Sequence, residues 1–329
     1  MNTLMKQTLE ILEMRSKKAL EMAKQQLSLD RIENKKLRQA LEYYAKNWDD
    51  TLHPGIIAVA CEAVGGNVEE SLLMQVPMLF LTAAVDIHDD VIDGSQTKNG
   101  RQTVFGRFGR DLALLVGDGL LLKGMTMLYR YGRKLPAETM DAIVSTIETA
   151  FVEAGDAHIL EICFKGKTDL NPEEYFRLLK KKASILEAHM RIGALVGGGT
   201  QDEIEILTEC GRILGTLIIL RDEFIDLFEA QELSNRMKNG CLPLPMIYAF
   251  EDPAVKETIL KILSKSKISE KDTELIVDIV FRDKKVESLR NEMENFSKKA
   301  LQIVSSLRKK APLESLLVAS LEDITGSTF

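Results

Sequence analysis

Asp86-Ile-His-Asp89-Asp90-Val-Ile-Asp93 closes the most apolar stretch of this chain. On a helix Asp89 and Asp93 fall one turn apart on one face with Asp90 beside them, so three carboxylates reach one small volume. Acid is disfavoured at a helix C-terminus, and the mutual repulsion of three carboxylates calls for a cation. A second cluster, Asp222-Glu223-Phe-Ile-Asp226, follows another apolar run, Leu214 to Leu220, and repeats the same spacing. Hard oxygen donors without paired His or Cys favour Mg2+ over zinc. Two such walls facing each other would hold a diphosphate through bound metal, about three ions in all.

The elements that must carry these walls are helices. Apolar residues recur at three- and four-residue spacing almost end to end, and beta-branched residues do not gather in short alternating runs. The pattern predicts an all-α protein, read as one helical domain over residues 1–329. Residues 1–47 form an N-terminal helical segment with a Lys- and Glu-rich face, and Pro54 stands in the first turn of the next helix. Gly65-Gly66 ends that helix, residues 69–93 form the apolar central one, and 94–102 a polar loop. Helices are expected at 107–130, 136–163, 172–196, 202–229 and 243–250, with shorter ones in an outer region, 253–329. No linker rich in Gly, Ser or Pro divides the chain.

Composition narrows the class. With 43 Lys and Arg against 50 Asp and Glu, the net charge is −7, which argues against a nucleic-acid surface. Cys61, Cys163, Cys210 and Cys241 show no CxxC pairing, as expected of a reduced, cytoplasmic protein. The longest apolar run, Leu72 to Val85, stops at Asp86 and is too short to span a bilayer, so no transmembrane segment is expected.

With these residues in view, the chain resembles the trans-isoprenyl diphosphate synthases, the polyprenyl synthetase family, from about Pro54 to Pro243. Asp89, Asp90 and Asp93, with His88 in register, match its first aspartate-rich motif. Asp222, Glu223 and Asp226 match its second, where the family usually has DDxxD; Gly117-Asp118, Lys182 and Leu242-Pro243 also fall in register. The resemblance implies the class I isoprenoid synthase fold, a large helical bundle around a central cavity. It also implies Mg2+-assisted ionisation of an allylic diphosphate and a homodimer, or a heteromer with a related subunit. Asp89, Asp93, Lys182 and Asp222 are then the catalytic set, and Asp90, Glu223 and Asp226 complete the metal ligands.

The same resemblance exposes departures. The family's GGKRxRP stretch reads Trp48-Asp-Asp-Thr-Leu-His53-Pro54, leaving Asp50 and Thr51 where Lys and Arg are expected. Thr82 replaces a His, Lys98-Asn99-Gly100 an Arg-Arg-Gly, and Ile219 a Gln. Losing guanidinium forks removes bidentate contacts to the diphosphate of isopentenyl diphosphate. Lys98, Arg101, Lys182 and, from the Arg236-Met-Lys238 segment, Lys238 are the candidate phosphate contacts; Arg221 fits a non-ligand place in the second motif, and His158 and His189 are read as structural.

Small Ala84, followed by Val85, stands where family members commonly place aromatics, which lets a longer tail pass. The expected reaction joins an allylic diphosphate to isopentenyl diphosphate, giving a geranylgeranyl or longer product. A class I enzyme with a different acceptor, and a regulatory subunit of a heteromeric synthase, are the alternatives.

Overall fold

The computed structural model describes residues 3–27, 32–98 and 100–321. Parts of the two terminal segments considered above, and Asn99 of the polar loop, lie outside the described residues. Among the described residues are sixteen α-helices, one short 3-10 helix and one two-stranded hairpin.

The N-terminal segment is two helices, α1 (Thr3–Gln26) and α2 (Lys35–Asn47). Asn34 starts the second, its side chain accepting from the Lys36 and Leu37 amides at 3.0 and 3.2 Å. Helix α3 (Leu52–Ala63) carries Pro54 in its first turn and is buried along most of its length. The central helix α4 runs Val68–Asp93, capped by Asn67 with Glu69 and Glu70 in its first turn. Gly94, at φ +68°, ends it in a left-handed turn, and its amide donates to Asp90 O. That stop fixes the first acidic cluster on the last turns of α4.

The polar loop folds into an antiparallel hairpin, β1 (Thr97–Lys98) with β2 (Arg101–Gln102). Then come α5 (Val104–Phe108), α6 (Arg110–Gly132) and α7 (Ala137–Phe164). The helix expected over 172–196 is broken into α8 (Pro172–Lys182) and α9 (Ser184–Val196) at Ala183. The break leaves Lys180, Lys181 and Lys182 in the last turn of α8, where the helix dipole favours cations. Helix α10 (Gln201–Ile225) ends before Asp226, which begins a tighter 3-10 turn, Asp226–Phe228. The rest is α11 (Ala230–Asn239), α12 (Leu244–Ala249), α13 (Pro253–Leu263), α14 (Glu270–Phe281), α15 (Lys284–Val304) and α16 (Ala311–Ala319).

Helix α4 packs along α6, while α9 lies against α3, α7 and α10. Gly193 makes the α9 to α3 approach possible, since a Cβ there would collide with Ile57 O. One apolar cluster gathers residues from Leu12 to Leu317 around α10. A second joins α1, α2, α4 and α6 around Trp48 and Phe80. By length and composition alone, α4 and α6 are each apolar enough to cross a membrane, which the unbroken-run criterion missed. The apolar window of α4 is 67% buried inside the fold, that of α6 39%. Leu115, Leu122 and Tyr129 on α6 and Phe151, Val152 and Ile159 on α7 are exposed.

Candidate functional site

The first acidic wall meets α7. His158 Nε2 contacts Asp89 Oδ1, and Lys165 Nζ lies 2.8 Å from Asp93 Oδ1. Donor atoms of Asp89, Asp93 and His158 all fall within 4.8 Å of one another, a spacing that one cation can bridge. Buried Asp89 Oδ1 and His158 Nε2 have no hydrogen-bond partner other than each other among the described residues. Two carboxylates and one imidazole at this spacing fit a divalent cation.

Electrostatics separates the carboxylates. Burial pushes the Asp89 carboxyl up, but His158, Lys182 and Lys98 bring it below its ordinary value. Burial and the neighbouring Asp86 raise Asp90 to about 7, with Lys98 opposing. His158 is raised chiefly by its contact with Asp89. One turn further along α7, Glu161 Oε2 takes Lys182 Nζ at 2.5 Å.

The second wall is organised by Arg236 from α11. Its guanidinium donates to Glu223 Oε1 at 2.6 Å and Asp226 Oδ2 at 2.5 Å. It also donates to Cys241 O at 2.6 Å and the Tyr175 hydroxyl at 3.2 Å. Glu223 Oε2 accepts the Leu244 amide at 2.7 Å, so that buried carboxylate is fully engaged. Burial still raises Glu223 above its ordinary value against Arg236 and Leu244. The Asp222 side chain is 64% exposed, but the chain packed beside it partly desolvates the carboxyl and raises it to about 6, with Arg221 opposing.

A cavity of about 230 Å³ joins the walls, lined by Asp93 from one, Glu223 and Arg236 from the other, and Glu161 and Lys165 between them. Gly117 and Asp118 support the first wall from behind. A Cβ at Gly117 would strike the His88 ring, whose Nε2 lies 3.3 Å from Asp118 Oδ1.

Lys98, Arg101, Lys238, Ala84 and Val85 fall outside the lining of that cavity. Lys98 and Arg101 line a pocket of about 130 Å³ with Asp49, Asp86 and Asp90. There Lys98 is bound to Asp86, and Arg101 lies 3.2 Å from Asp49. Asp50 takes His53 Nδ1 at 2.9 Å, and the His53 ring sits 5.0 Å from that of buried His189. Lys238 is exposed on a separate groove of α11. Ala84 is buried in the cluster around Trp48, while Val85 is 43% exposed.

His158, Glu161 and Lys165 are additions to the predicted site, since the sequence reads His158 as structural and does not single out the other two. His158 and Glu161 lie one turn apart on α7, and Lys165 follows as its C-cap, outside the helical stripe.

The polyprenyl synthetase profile matches residues 34–280. A short chain isoprenyl diphosphate synthase of Methanothermobacter thermautotrophicus is 25% identical over 267 residues, covering 80% of this chain and 78% of the relative. A geranylgeranyl diphosphate synthase of Methanosarcina mazei is 27% identical, covering 73% and 74%. The crystal structure of a geranylgeranyl pyrophosphate synthetase from Pyrococcus horikoshii superimposes with TM-score 0.84 at 22% identity, covering 96% of this chain and 98% of that one. What is shared at that identity is the fold, an all-α bundle of the class I isoprenoid synthase architecture.

Proposed function

We propose, for a chain that belongs to the polyprenyl synthetase family and so to the enzymes of the trans-prenyltransferase class, that it extends an allylic diphosphate with isopentenyl diphosphate to a geranylgeranyl or longer product. The observation that carries this reading is the cavity in which Asp93 of one acidic wall meets Glu223 of the other. Asp89, Asp93 and Asp222 would hold Mg2+, about three ions with diphosphate bound, with Asp90, Glu223 and Asp226 beside them. Bound there, the metal supplies charge neutralisation to the departing diphosphate.

The chain's own groups do the rest. Lys182 and Lys165 place fixed positive charge beside Asp89 and Asp93. Arg236 fixes Glu223 and Asp226, so the second wall is set before substrate arrives. The allylic C–O bond breaks with its electron pair leaving on diphosphate. The isopentenyl double bond attacks the cation, and the proton then lost passes to a diphosphate oxygen. Val85, half-exposed one turn before Asp89, supports a cavity open to a long tail. The exposed apolar residues of α6 and α7 support pairing with a second copy or a related subunit.

A different acceptor is the second reading. It is favoured because Lys98, Arg101 and His53 each face a carboxylate, Asp86, Asp49 and Asp50 respectively. Incubating the chain with C10, C15 and C20 allylic diphosphates and Mg2+, with and without isopentenyl diphosphate, and resolving products by mass decides between them. Products longer by five carbons support the first reading; diphosphate release without elongation overturns it in favour of the second.

A further inference from the structure

Around the catalytic cavity the cations are already engaged. Lys165 is taken by Asp93, Lys182 by Glu161, Arg236 by Glu223 and Asp226, and Lys98 by Asp86. Asn235 on α11 lines that cavity and also a second, larger groove of about 930 Å³ between α11 and the segment leading into α14. Lys238, Lys267 and Lys271 all line this groove, against a single carboxylate, Glu270. Among the described residues none of the three lysines has a carboxylate within 4.0 Å. Ser234 and Ser266 also line the groove, while the Ser269 hydroxyl is committed to Asp272 as the cap of α14. In a chain of net charge −7, the groove next door to the carboxylate walls thus has the opposite sign.

The two concavities differ in how they meet a polyphosphate. The acidic walls repel one unless metal intervenes. Ammonium groups with spare donors attract it directly and release it readily, because lysine acts as a mobile point charge rather than a rigid fork. We propose that this groove is a metal-independent diphosphate site, which receives the inorganic diphosphate leaving the catalytic cavity past Asn235. The assignment to the reaction's product rests on the prenyltransferase reading; the anion site itself does not.

The test is equilibrium binding to the full chain in EDTA, which silences the acidic walls. Inorganic diphosphate and a non-ionisable prenyl thiolodiphosphate are titrated separately into the parent and into Lys267→Gln/Lys271→Gln. Both lysines are exposed, so the variant keeps its fold, which circular dichroism checks. Inorganic diphosphate is expected to bind the parent, to bind the double variant at least tenfold more weakly, and to weaken with added salt. A prenyl ligand that binds no tighter supports the product assignment. One that binds much tighter, and is lost in the variant, overturns that assignment in favour of a lipid diphosphate. No binding in EDTA, or binding unchanged in the variant, overturns the site altogether. Mg2+-dependent turnover, read alongside, reports on the proposed reaction independently of the groove.

Discussion

Arg236→Met should cost the fold far more than its position in a short, polar helix suggests. The guanidinium is 12% exposed and ties Glu223, Asp226, Tyr175 and the Cys241 carbonyl into one network. Without it, Glu223 keeps only the Leu244 amide, and its side chain is 9% exposed. Breaking a buried pair on one side costs about 3–5 kcal/mol, because the remaining charge is left desolvated. For a chain of this size, at about 2 °C per kcal/mol, the midpoint of thermal unfolding falls by about 6–10 °C. Lys238→Met, two residues on and exposed, should stay within about 0.5 kcal/mol of the parent. Adding Glu223→Gln to Arg236→Met removes the stranded charge and should recover about 2 kcal/mol. Urea and thermal unfolding of the four proteins read these differences directly. An Arg236→Met chain within about 1 kcal/mol of the parent would refute the reasoning, since the pair would then carry no buried charge.

Asp93→Asn and Asp222→Asn should each lower kcat by about a hundredfold or more while leaving the fold intact, measured as steady-state diphosphate release. Asp90, at about 7, and Asp222, at about 6, hold their protons more tightly folded than unfolded. Their contribution to stability is therefore full below about pH 4 and lost as pH rises through about 6–7, so in EDTA the unfolding midpoint should fall over that window. Mg2+ binding must displace the same protons, and its apparent affinity, followed by calorimetry in two buffers, should rise between about pH 6 and 8. Val85→Phe should shorten the longest product seen by mass, whereas Ala84→Phe, overpacking the cluster around Trp48, should destabilise the chain by about 1–3 kcal/mol on urea unfolding.

Helical periodicity made the bundle and the course of α4 and α10 legible, because their apolar runs and terminal carboxylates follow simple spacing. The breaks at Asn34 and Ala183 were less visible. Each depends on a local cap or a single backbone turn that apolar spacing does not encode. The two aspartate clusters could be found because each sits within one helix turn or two. Their partners come from elsewhere in the chain: His158 reaches the first wall from α7 and Lys165 from its C-cap, and Arg236 the second from α11. A polar residue isolated in sequence gives no sign of which wall it faces. The choice of Lys238 over Arg236 as the phosphate contact rested on approximate register, whereas the rotation of α11 turns Arg236 inward and Lys238 outward. The pairing of Asp50 with His53 is the converse case, three residues apart and visible once a helical turn is assumed.

The central claim is that the two carboxylate walls act as one site that handles diphosphate through Mg2+. Its most direct test is the initial rate of diphosphate release from an allylic diphosphate by the parent, Asp93→Asn and Asp222→Asn, each with Mg2+ and with EDTA. Release by the parent in Mg2+ alone, with loss in either variant, is the predicted result. Release that persists in EDTA, or that survives replacement of either wall, would contradict it.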